Sequence, residues 1–103
     1  TAATMVTGVK NTNELPTAFR LAQNYPNPFN PNTRIDFDLP ETRHVNLTIY
    51  NSLGQEVANP LNQEFAAGYH AIMFVGSKLS SGVYYYRLDA GKFTSIKKMV
   101  LLK

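Results

Sequence analysis

The sequence predicts an all-β domain, a two-layer sandwich of about seven antiparallel strands. Apolar and polar residues alternate in short runs, and Gly, Pro and Asn break those runs at intervals of roughly 8–12 residues. No segment keeps the 3.6-residue period of an amphipathic helix. A chain of 103 residues has room for one hydrophobic core but not two. It has no cysteine, so packing and hydrogen bonds must hold the layers together without a disulfide.

Residues 1–18, rich in Thr, Asn and Ala without a sustained period, read as a linker and imply a preceding domain. Thr1 in place of an initiator Met fits a piece of a longer chain, with any export signal upstream. A first short strand is expected at Phe19-Arg20-Leu21-Ala22. The run Tyr25-Pro26-Asn27-Pro28-Phe29-Asn30-Pro31 then loses three backbone donors to proline, which excludes a central strand. It should be a stiff loop, anchored to the core by Tyr25 and Phe29. In Arg34-Ile35-Asp36-Phe37-Asp38-Leu39 the apolar residues face one way and the charged ones the other. Pro40 stops that strand, and Val45, Leu47 and Ile49 repeat the pattern in the next.

Asn51-Ser52-Leu53-Gly54 is a turn in which Gly54 supplies a positive φ. A short strand around Gln55 to Ala58, a polar connection and a fifth strand from His70 to Val75 follow, the last with Ile72 and Phe74 on one face. Leu79-Ser80-Ser81-Gly82-Val83-Tyr84 matches the corner that leads into strand F of immunoglobulin-like sandwiches, which makes Tyr84 the candidate corner tyrosine. Tyr86 stands where immunoglobulin domains carry a cysteine, so aromatic packing must offset the missing disulfide. Asp89-Ala90-Gly91-Lys92 turns the chain into a final strand, Phe93 to Lys103. The whole reads as a seven-stranded antiparallel immunoglobulin-like β-sandwich. A barrel of the oligonucleotide-binding type is the competing fold, disfavoured because it normally carries a helix.

Little in this chain points to catalysis. There is no nucleophile elbow, phosphate loop or grouped Ser, His and Asp, and His44 and His70 are isolated and read as structural. The net charge of +3 is modest and makes no basic stripe, so nucleic acid is not an expected partner. Asp36 and Asp38, with Asn30 and Asn32 nearby, have oxygens suited to calcium, but alternating acids are ordinarily the wet side of a strand; neither a metal nor a cofactor is expected. Tyr69, Tyr84, Tyr85 and Tyr86 suggest a sugar platform, yet alternation turns Tyr84 and Tyr86 inward and leaves Tyr85 outside. Asn46-Leu47-Thr48 is a formal glycosylation sequon that lies inside a strand.

The end of the chain is the most informative element. Ile96, Val100 and Leu102 share one face of the last strand, Met99 and Leu101 the other, so both faces are apolar. Such a strand is either covered on both sides or an exposed edge, flanked by Lys97, Lys98 and Lys103, that a partner reads by strand addition or apolar contact. An exposed final strand also makes a homodimer of the isolated domain plausible.

Taken in order, the proline run followed by Thr33, Ile35 and Phe37, then Ile49-Tyr50-Asn51 with Gly54, Gly68-Tyr69-His70, Ser81-Gly82-Val83-Tyr84-Tyr85-Tyr86 and Lys97-Lys98-Met99-Val100-Leu101-Leu102-Lys103 resemble a known family. It is the type A C-terminal sorting domain of the type IX secretion system, and the likeness covers residues 19–103. The resemblance implies a sandwich at the end of a secreted cargo protein of Bacteroidetes-type bacteria. The cargo would cross the inner membrane by an N-terminal signal, and an outer-membrane translocon would read the folded domain in the periplasm. A cell-surface sortase would then cut within residues 1–18, leaving the cargo at the cell surface or outside. The family's signal transfers to Lys97 through Lys103, with Gly68 and Gly82 as turn positions that shape the fold. Two other readings stand beside it: an accessory carbohydrate-binding module of a secreted enzyme, and a structural immunoglobulin-like module, either a spacer or the immunoglobulin-like domain of the flagellar hook cap.

Overall fold

The computed structural model describes residues 14–103. The linker expected over residues 1–18 therefore lies outside the described residues up to position 13; within the remainder, Pro16 is buried. Seven strands follow: β1 Arg20–Leu21, β2 Asn32–Leu39, β3 Arg43–Asn51, β4 Glu56–Phe65, β5 Gly68–Val75, β6 Gly82–Ala90 and β7 Phe93–Leu101. They form two antiparallel sheets, ordered β1-β2-β5 and β4-β3-β6-β7. The all-β class and the strand number expected from alternation and turn spacing are those found.

Period-2 patterning fills the space between the sheets. Ile35, Phe37 and Leu39 from β2 meet Val45, Leu47 and Ile49 from β3, Tyr84, Tyr86 and Leu88 from β6, and Met99 and Leu101 from β7, all buried. Each such side chain contributes about 1.5–3 kcal/mol of burial free energy, which is what a sandwich without a disulfide has to rely on. The side between β4 and β5 is closed by rings: Phe65 meets Phe37 edge-on at 5.5 Å, and His70 stacks on Phe37 at 5.2 Å. His70 also bonds the Ala66 carbonyl at 2.7 Å, so its role in the described structure is packing.

The pairing departs from the constant-type immunoglobulin arrangement, in which the fourth strand lies beside the fifth. Here β4 pairs with β3. The turn explains this: Asn51 Oδ1 accepts the Leu53 and Gln55 amides at 2.9 and 3.0 Å, and Gly54 adopts φ +83°, so the chain reverses tightly and stays in the same sheet. β4 is also far longer than the short strand expected around Gln55 to Ala58. Pro60 and two register irregularities interrupt its ladder, and they are tolerated because β4 is an edge strand. Asn59 spans the irregular stretch, its Nδ2 donating to the Leu47 carbonyl at 2.8 Å.

Tyr84 is the corner tyrosine as expected. Its hydroxyl donates to the Ser80 carbonyl at 2.7 Å and fixes the approach to β6. Gly68 and Gly82, expected as turn residues, are the first residues of β5 and β6.

The asymmetry of β7 makes a direct test. Met99→Ala or Leu101→Ala should each lower unfolding free energy in urea by about 2–5 kcal/mol, whereas Ile96→Ala on the outer face should change it by less than about 0.5 kcal/mol. Equal losses at all three positions would contradict the arrangement.

Candidate recognition site

β7 is an edge strand with one face in the core and one in solvent. Alternation sends Met99 and Leu101 inward, where they are fully buried, and turns Ile96, Lys98, Val100 and Leu102 outward. Ile96 is 58% exposed and Leu102 54%. The strand ends at Leu101 rather than running to Lys103, but the tail is held: the Lys103 amide donates to Ser81 Oγ at 2.9 Å and its Nζ to the Ser77 carbonyl at 2.6 Å.

Of the two readings of this strand, covered on both sides or an exposed edge, neither holds in full: one face is open, and part of the edge is occupied. Residues 23–29 lie along it and take up its backbone groups one after another. Gln23 Nε2 donates to the Lys98 carbonyl at 2.6 Å, and the Val100 amide donates to Asn27 Oδ1 at 3.0 Å. Phe29 then forms a parallel bridge, its amide donating to the Val100 carbonyl and its carbonyl accepting the Leu102 amide, both at 2.9 Å. Strand addition over Lys98–Leu102 is therefore excluded by the chain's own proline segment, and a partner there has only the outer face and the tail to contact.

That segment is fixed from beneath. Tyr86, fully buried, donates its hydroxyl to the Ala22 carbonyl at 2.7 Å and accepts the Asn24 amide at 2.8 Å. Asn24 Nδ2 donates to Thr33 Oγ1 and to the Pro26 carbonyl, and the Thr33 hydroxyl donates to that carbonyl as well. Buried polar groups are thus paired, as their desolvation requires. Phe29 inserts between β5 and β7, meeting Phe74 at 6.3 Å, as the sequence reading expected. Gly76 leaves it room: a Cβ there would lie 3.2 Å from the Phe29 ring and 3.4 Å from Leu101.

Tyr25 does not anchor the loop. Adjacent residues of an extended chain face opposite ways, and Asn24 takes the inward position, leaving Tyr25 80% exposed and tied to β2 by backbone bonds with Arg34. Gln23, Asn24 and Gly76, all essential to the seam, carry no sequence signal, since a polar pair before a proline run reads as solvated loop.

Charge is distributed unevenly. The four ion pairs among the described residues join Arg20 to Asp38, Arg34 to Asp36, Arg43 to Glu41 and Arg87 to Asp89. The carboxylates considered for calcium are thus already held by arginines, and no group of three or more metal-ligating acids or histidines occurs among the described residues. No lysine enters an ion pair there; Lys97 and Lys98 lie in β7 and Lys103 follows it. Of the four tyrosines considered for a sugar platform, Tyr84 and Tyr86 are buried, and Tyr69 and Tyr85 lie on different sheets.

The described residues thus form a two-sheet sandwich whose last strand is held from the core and along part of its outer edge. Residues 23–102 match the family described as secretion system C-terminal sorting domain. The chain belongs to that family, the C-terminal sorting domains of the type IX secretion system. Comparison with curated proteins and with solved structures returned no match.

Burial raises the Tyr86 phenol from its ordinary value of 10 to about 12, partly offset by the Asn24 amide. The neutral form is favoured in the fold, so this contribution is complete below pH 10 and is lost as pH rises through about 12. Ultraviolet titration should show a tyrosine ionising near pH 12 that Tyr86→Phe abolishes. The same variant should destabilise the chain by about 1–3 kcal/mol through the unpaired Ala22 and Asn24 groups. A superimposable titration for the variant would refute this placement.

Proposed function

We propose that this domain directs a cargo protein in the same chain across the outer membrane, the folded sandwich being read in the periplasm by the outer-membrane translocon. A cell-surface sortase then removes it by cutting within the linker before the sandwich, in residues 1–18, and the cargo remains at the surface or outside. Membership of a family of sorting signals, rather than of enzymes, supports the general role. The observation that carries the reading is the terminal strand, held from the core and along its edge while Lys98, Leu102 and Lys103 stay exposed. Such a surface is independent of whatever cargo precedes it. Within the terminal heptad, Met99 and Leu101 shape the strand from inside, half-buried Lys97 shares their side, and Lys98, Val100, Leu102 and Lys103 are left for contact. Edge-to-edge pairing of the isolated domain through the last strand is blocked over Lys98–Leu102, where residues 23–29 already occupy the edge.

Truncation is a poor test of this, since removing residues 97–103 also removes two core side chains. Replacing Lys98, Leu102 and Lys103 together by Ser in the complete cargo-bearing protein separates the two effects. The cargo should then accumulate in the periplasm of its own host while the purified chain keeps its unfolding midpoint. Normal secretion of that triple variant would refute the reading.

A further inference from the structure

The outer face of the four-stranded sheet carries more than the terminal heptad. Across β3, β6 and β7 the register sets Tyr50 beside Tyr85 and Tyr85 beside Lys98; one step along, Val83 lies beside Val100. On the other side, Arg87 opposes Ile96 and is neutralised by Asp89. Tyr85 is 38% exposed, and with Val83, Ile96, Val100 and Leu102 it makes an apolar strip along β6 and β7. Toward the β3–β4 turn the strip adjoins a mixed, largely polar groove of about 410 Å³ lined by Asn51, Ser52, Leu53, Lys78, Ser81 and Val83. Around the β7 end stand Lys78, Lys98 and Lys103, none of them in an ion pair among the described residues. The nearest acid in the Tyr50–Tyr85–Lys98 row is Glu56, at the opposite edge beside Tyr50.

We infer that the surface read on this domain is this β6–β7 face as a whole, with Val83, Tyr85 and Ile96 as specificity residues, and that it docks on an apolar protein surface bordered by carboxylates. The inference rests on the sorting reading and deepens it by giving the partner's chemistry. A sealed edge excludes strand addition, so contact must come through side chains of the face. Aromatic and aliphatic groups supply the desolvated centre of an interface, and cations that enter no ion pair among the described residues select an acidic counterpart and speed encounter. Lys98 stands within the strip, between Ile96 and Val100 and beside Tyr85, and Lys103 follows the end of β7.

The test uses the complete cargo-bearing protein in its secreting host, measuring cargo outside the cell against cargo in the periplasm. Tyr85→Ser with Ile96→Ser should lower external cargo by roughly tenfold. Lys98→Glu should do the same and Lys98→Arg should not, a pair that stays decisive even where the double variant unfolds. Met73→Ser with Val75→Ser, equally exposed apolar positions on β5, should secrete normally. If Y85S/I96S and K98E are secreted normally while the Lys98, Leu102 and Lys103 triple variant is retained, the face is wrong and the sorting reading survives. If all of them are secreted normally, the sorting reading itself fails. If sedimentation shows a dimer that Y85S/I96S converts to monomer with secretion unchanged, the face is covered by a second copy and the inference is overturned.

Discussion

The seam between residues 23–29 and the last strand is the constraint on which the rest of this structure depends. A terminal edge strand is held by neighbours on one side only, and its outer amides and carbonyls invite fraying or pairing with another chain. Here Gln23, Asn27 and Phe29 take those groups up over Lys98–Leu102, and Tyr86 holds the strap in place from the interior. Two stretches that lie far apart in the sequence, the proline run and the basic-apolar ending, are therefore one structural unit.

This arrangement divides the ending into parts with different physical duties. Met99 and Leu101 fix the strand against the core, the edge groups are spent inside the molecule, and the outward side chains and tail remain. An ending built this way is a surface of defined shape instead of a flexible peptide, so a partner that bound it would avoid most of the entropy cost of ordering it. Proline contributes from the other side of the seam, because a strap with few free donors and restricted φ lies along an edge without itself becoming a new one. Arginines neutralised in pairs and lysines left unpaired add a field at the same end of the molecule.

Much of this was legible in the sequence because period-2 alternation is a local property. The inward faces of β2, β3 and β6, the Gly54 turn and the Tyr84 corner follow from residues within a few positions of one another. What escaped is what depends on contacts across the chain. Asn24 rather than Tyr25 turns inward, its side chain bonded to Thr33 and its backbone amide to the Tyr86 hydroxyl, 62 positions away. The length of β4 hinges on whether Pro60 sits at an edge or in a centre, which only the sheet order decides. The resemblance drew attention to the terminal heptad, but no pattern in the chain says that its edge is occupied over Lys98–Leu102, or that Gly76 packs closely against Phe29.

Amide hydrogen exchange along β7 tests the central claim most directly. If residues 23–29 close the edge, the outward amides of Val100 and Leu102 exchange as slowly as inner ladder amides, while that of Ile96, on the open part of the same edge, exchanges fast. Equal, rapid exchange at all three positions would mean that the strap does not hold the strand, and the account built on it would not stand.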